Sequence, residues 1–115
     1  MIHKVPQGSS NSKIELAVEN TSAAITRHVR VVAPVPPSWL KFKEPSITIP
    51  EIQPGAEGIA VFTFSVDKTV QVGTEQRLTF MIRSEHGEKW TKEISIMIVK
   101  PSIFVWLMNR LISAK

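Results

Sequence analysis

The chain has 115 residues, a net charge of +4 and no cysteine. That length fits one domain with a true core, and the missing thiols exclude disulfides and thiolate metal sites. Lysine and arginine are scattered from Lys4 to Lys115 rather than clustered, which argues against a nucleic-acid binder.

Residues 1–12 end in Gln7-Gly8-Ser9-Ser10-Asn11-Ser12 and read as a polar, flexible lead-in. A period of two then begins. Ile14, Leu16 and Val18 alternate with Lys13, Glu15 and Glu19, the pattern of a half-buried strand, and Asn20-Thr21-Ser22 turns the chain. The next strand is expected from His28 to Ala33, with Arg27 either before its start or in a bulge. Pro34, Pro36 and Pro37 end it, because proline gives a ladder no N–H. Leu40 and Phe42 alternate with Lys41 and Lys43, and 46–49 is a short strand closed by Pro50. Gln53-Pro54-Gly55-Ala56 reads as a turn.

The most apolar strand follows, with Ala60, Phe62, Phe64 and Val66 on one face and Ile59 and Val61 on the other. Two long strands finish the pattern. Gln76, Leu78, Phe80 and Ile82 share a face in the first. Trp90, Ile94, Ile96 and Ile98 share one in the second, with Lys92 in phase but out of character. Ser84-Glu85-His86-Gly87 supplies the hairpin loop between them. About seven short strands without a helix between them predict an all-β, immunoglobulin-like antiparallel sandwich over residues 13–100. In residues 101–115 the period changes: Phe104, Leu107, Met108 and Leu111 follow the spacing of one helical face, with Ser102 as a candidate N-cap. One more strand over 103–108 fits so short a run equally. No stretch has the roughly 18 apolar residues of a membrane-spanning helix, and the N-terminus shows no signal-peptide h-region.

Residues able to do chemistry do not converge. Asp67, the one aspartate, sits beside Lys68 and reads as a turn residue. The glutamates follow exposed faces, and His3, His28 and His86 fall in separate segments without ligand spacing. No nucleophile elbow or phosphate loop is present. Neither an enzyme nor a cofactor or metal site is expected. Asn20-Thr21-Ser22 matches a glycosylation sequon, but a polar turn explains it as well. Among the tryptophans, Trp90 reads as core. Trp39 is either a plug at the sandwich end or a low-ranking ligand platform.

Several segments in order carry a resemblance: Ala17-Val18-Glu19-Asn20-Thr21, Pro36-Pro37-Ser38-Trp39, Ile52-Gln53-Pro54-Gly55-Ala56, Val61 to Val66, and Val72-Gly73-Thr74. Together they resemble the bacterial NPCBM-associated accessory domain of alpha-galactosidases, and more broadly CARDB-like and fibronectin-like modules. The chain departs from that pattern at Ser22, where the family usually has glycine, and at Glu75-Gln76-Arg77, where it commonly has an aromatic. The resemblance implies an extracytoplasmic, non-catalytic accessory module of a larger envelope or secreted protein, spacing or docking other domains. A carbohydrate-binding module using exposed aromatic rings is the alternative. The expected partner is a neighbouring domain or protein, or a second copy held through Phe104, Leu107, Met108 and Leu111; membrane association is disfavoured because only Arg110 and Lys115 are basic there.

Overall fold

The computed structural model describes residues 2–101, which form eight strands and no helix. In chain order these are β1 (Ile2–Pro6), β2 (Ser12–Glu19), β3 (Thr26–Val32), β4 (Leu40–Phe42), β5 (Ser46–Ile52), β6 (Glu57–Val66), β7 (Glu75–Arg83) and β8 (Lys89–Val99). One sheet has the order β1-β8-β7-β3-β5 and the other β2-β6-β4. All pairings are antiparallel except β1 with β8. This is an immunoglobulin-like β-sandwich.

The alternating apolar residues face each other between the sheets. Ile14, Leu16, Ala60, Phe62, Phe64 and Val66 come from one sheet; Val31, Leu78, Phe80, Ile96 and Ile98 from the other. All are at most 5% exposed. The centre is aromatic. Phe62 and Phe80 meet across the sheets with ring centroids 5.0 Å apart, and Phe42 packs edge-on against both at 6.0 and 5.9 Å. Such tilted contacts stabilise beyond the area they bury.

The structure corrects the sequence reading at four places. First, residues 2–6 are not a flexible lead-in: they form β1, whose Val5 is 1% exposed. A single buried residue leaves no alternation to detect. Second, β5 does not stop before Pro50 but runs through it to Ile52. β5 is an edge strand, where a missing N–H costs little. Third, β3 starts at Thr26 and ends at Val32. His28 stands opposite Pro50 in a register that pairs Arg27 with Glu51 and Val29 with Ile49. His28 takes a positive φ of 53°, and both strands change face there, so Ile49 and Ile52 are both buried. Fourth, Trp90 is not core; it is 50% exposed.

Asn20 is the one buried polar side chain among the described residues. Its Nδ2 donates to the carbonyls of Ala24 (2.8 Å) and Ile52 (2.9 Å), and its Oδ1 accepts from the Ser22 N–H and hydroxyl. Its own N–H donates to the Ala56 carbonyl and its carbonyl accepts from the Gly55 N–H. It therefore ties the β2–β3 loop to the end of β5 and to the turn before β6. A buried amide occupied in this way is not placed to carry a glycan.

Candidate functional site

One long side of the sandwich is not closed. β1 pairs with β8 only over Ser95–Val99, so the flank of β8 from Lys89 to Ile94 has no neighbour among the described residues. The facing flank of β2 is open as well, since β2 ends its sheet. Between them lies a cleft of about 1150 Å³, with His3 and Ile94 at one end and Ser22, His86 and Glu88 at the other.

The backbone of both flanks points into this unoccupied lane. Along β8, the Ser84 N–H donates to the Glu88 carbonyl and the Ile98 N–H to the Thr74 carbonyl, each 2.9 Å. Both bonds continue the β7–β8 register, so even-numbered residues of β8 bond to β7. The Gln7 N–H donates to the Val99 carbonyl, so odd-numbered residues face the β1 side. Lys89, Thr91 and Glu93 thus turn their N–H and C=O groups toward the empty lane. On β2, the bond from Asn20 N–H to Ala56 continues the pairing with β6, which leaves the groups of Lys13, Glu15, Ala17 and Glu19 outward.

The side chains show where the covering sheet stops. Phe80 is 0% exposed, while Lys92, directly opposite it on the same face, is exposed. Ile82 is 8% exposed against 50% for Trp90 beside it. Both β8 residues therefore stand in the core-facing phase with no strand of the smaller sheet covering them among the described residues. Leu16, Val18 and Ile52 line the cleft, and Ile25, 43% exposed, stands at its far mouth. The floor of the lane is apolar, with Lys92 between Trp90 and Ile94, while Lys13, Glu15, Glu19, Glu88 and Glu93 bring charge to its walls.

The residues singled out from sequence fall elsewhere. Trp39 packs partly buried against the core at the opposite end of the sandwich, by a shallow hollow of about 170 Å³ shared with Asp67. The Asp67 carboxylate accepts bonds from the Thr69 N–H and hydroxyl, each 2.9 Å, and these hold its carboxyl below the usual carboxylate range. Phe104, Leu107, Met108 and Leu111 lie outside the described residues, as does the choice between helix and strand there. His3 and His86 line the cleft, but His28 bears on Glu85 on the outer side at 3.9 Å. Among the described residues, no group of three or more His, Cys, Asp or Glu side chains is placed to hold a metal ion. The cleft itself was not read from the sequence. Its one signal was Lys92, a charge in an otherwise apolar phase.

No family model matches the chain, and no curated protein matches it in sequence. Solved structures do match in shape. The secreted serine protease VesC from Vibrio cholerae aligns with a TM-score of 0.52 and 10% identity, over 84% of this chain and 21% of that one. The CsuC-CsuE chaperone-tip adhesion subunit pre-assembly complex of the archaic chaperone-usher Csu pili of Acinetobacter baumannii aligns at 0.49 and 10% identity, over 86% and 53%. The periplasmic chaperone SfaE aligns at 0.49 and 10%, over 88% and 55%. The chain spans about half the length of the two pilus-assembly chains and a fifth of the protease. At such identity the likeness concerns architecture alone: the chain has an immunoglobulin-like sandwich fold.

Proposed function

We propose that this chain is a non-catalytic interaction module of a larger envelope or secreted protein, and that its working surface is the open lane between β2 and β8. The supporting observation is the pair of strand edges, unpaired among the described residues, that face one cleft with an apolar floor. Unpaired edges invite strand addition, and an extended segment laid beside β8 gains main-chain bonds from Lys89, Thr91 and Glu93 while covering Trp90. The segment comes from a neighbouring domain or a partner protein. Placement outside the cytoplasm rests on the resemblance of the 13–84 segments to the accessory domains. Such a module positions a partner and performs no bond chemistry.

The test is site-specific photo-crosslinking in the source cells, with p-benzoylphenylalanine replacing Trp90 and, as a control, Lys41 on the far sheet. A discrete adduct from position 90 and none from position 41 is expected. No adduct at 90, or the same adducts at both positions, refutes the reading. Carbohydrate binding is the second reading, and the exposed ring of Trp90 favours it. That reading predicts saturable quenching of tryptophan fluorescence by oligosaccharides, lost in Trp90→Ala.

A further inference from the structure

The outer face of the five-stranded sheet carries a row of cations that the fold does not explain. Arg30 of β3 stands directly opposite Arg83 of β7, and Arg83 directly opposite Lys89 of β8. Thr48 of β5 extends the row on the other side of Arg30. All four are exposed and, being opposed in register, project from the same face. Residues opposed across neighbouring strands sit about 5 Å apart, so three positive heads line up across roughly 10 Å. Like charges placed directly opposite one another destabilise a sheet.

The neighbouring cations are neutralised and these are not. Arg27 meets Glu51 at 3.4 Å and Arg77 meets Glu93 at 3.2 Å. Among the described residues, no carboxylate lies within 4.0 Å of Arg30, Arg83 or Lys89. The Arg83 Nε–H donates to the Met81 sulfur at 3.3 Å, and its two terminal nitrogens have no hydrogen-bond partner among the described residues. The row is a set of aligned donors without an acceptor.

We propose that Arg30, Arg83 and Lys89 form a binding site for a slender polyanion, a single sugar chain bearing sulfate or phosphate groups. Planar guanidinium groups bind such oxyanions through paired charge-assisted bonds. The shape of the charge argues for a narrow ligand. Arg27 and Arg77 are occupied by Glu51 and Glu93, so the uncompensated positive charge on the outer face of β3, β7 and β8 is confined to one file of three side chains, which a single chain of anions matches and a broad surface such as a bilayer does not. The row needs no cleft and faces away from the lane, so it stands independently of the function proposed above.

A heparin hexasaccharide serves as the probe, by calorimetry at low ionic strength. Saturable binding that weakens as salt is raised is expected, and Arg30→Ala or Arg83→Ala reduces affinity about tenfold, the loss of a charge-assisted contact. Arg77→Ala, which removes an ion-paired cation of the same sheet, changes it by less than about twofold. Trp90→Ala leaves it unchanged, which separates this site from the lane. The proposal is overturned by absent saturable binding, or by an Arg77→Ala effect as large as that of Arg83→Ala. It is overturned too if phosphatidylglycerol vesicles or an oligothymidylate bind more tightly than the hexasaccharide.

Discussion

Replacing Asn20 by alanine removes the side chain that joins three segments at one end of the sandwich. Four side-chain hydrogen bonds disappear, two donated and two accepted, and one of the lost donors leaves the Ile52 carbonyl without its partner in a buried setting. A net contribution of about 1 kcal/mol per bond, less for the pair at the exposed Ser22 hydroxyl, gives a loss of about 3 kcal/mol. For a domain of this size that lowers Tm by roughly 10 °C. Urea unfolding followed by far-UV circular dichroism measures it, with the m-value expected to stay constant. Asn20→Asp sharpens the argument. It sets a carboxylate oxygen against the carbonyls of Ala24 and Ile52, where Nδ2 now donates at 2.8 and 2.9 Å. The ionised form is disfavoured in the fold, so the introduced carboxyl has a raised pKa. A group raised in the folded state contributes its stability below its unfolded pKa and loses it as pH rises through the folded one. The Asn20→Asp deficit is therefore smaller near pH ~4 than at pH ~7. An alanine variant within about 1 kcal/mol of wild type, or an aspartate variant with a pH-independent deficit, refutes the account of Asn20 as the clamp.

Gly58→Ala is expected to cost about 1–3 kcal/mol by overpacking, because a Cβ there would lie 2.8 Å from Ile49 Cγ2 and 2.9 Å from Ile52 Cγ1. Chemical denaturation decides the sign, since alanine in an uncrowded strand stabilises relative to glycine. His28→Val should destabilise by about 1–2 kcal/mol, since a β-branched residue tolerates the left-handed region poorly, while His28→Asn stays near wild type in the same assay. Asp67 has a depressed pKa from its bonds to Thr69, so it contributes stability above the ordinary value of 3.8 and loses it as pH falls through the folded value. Asp67→Asn is then less stable than wild type at neutral pH, and the gap closes in acid; thermal melts across pH show whether it does.

What was legible in the sequence was the alternation. Ile14 and Leu16, the Ala60-to-Val66 set, Leu78 to Ile82, and Ile96 with Ile98 all lie inward as their period requires. Periodicity reports a face, however, and not what covers it. Trp90 is in the same phase as Ile96, yet one is half exposed and the other fully buried, because the smaller sheet ends before it reaches the first half of β8. The β1 pairing was hidden for a related reason. A parallel edge strand with one buried residue leaves no pattern of its own, and its partner lies more than ninety positions away in the chain. The clamp role of Asn20 was equally out of reach: its partners come from β5 and the turn before β6, and a polar residue between a strand and a turn looks solvated from sequence alone.

The treatment of the other edges gives the open lane its meaning. An exposed strand edge is a liability that folds suppress by shortening, proline, kinks or charge. β5 carries Pro50 and the kink opposite His28, and β4 is only three residues long. β1 ends in Pro6 and is also short. β2 sets Lys13, Glu15 and Glu19 along its outer face. The first half of β8 has Lys89 and Glu93 on its outer face, and on its inner face it presents Trp90, 50% exposed, beside Lys92. Among the described residues, the first half of β8 carries Lys92 as an inward-pointing charge, yet it is the edge where a cleft, free backbone groups and a half-exposed aromatic coincide. The proposal that an extended segment is received there rests on that coincidence.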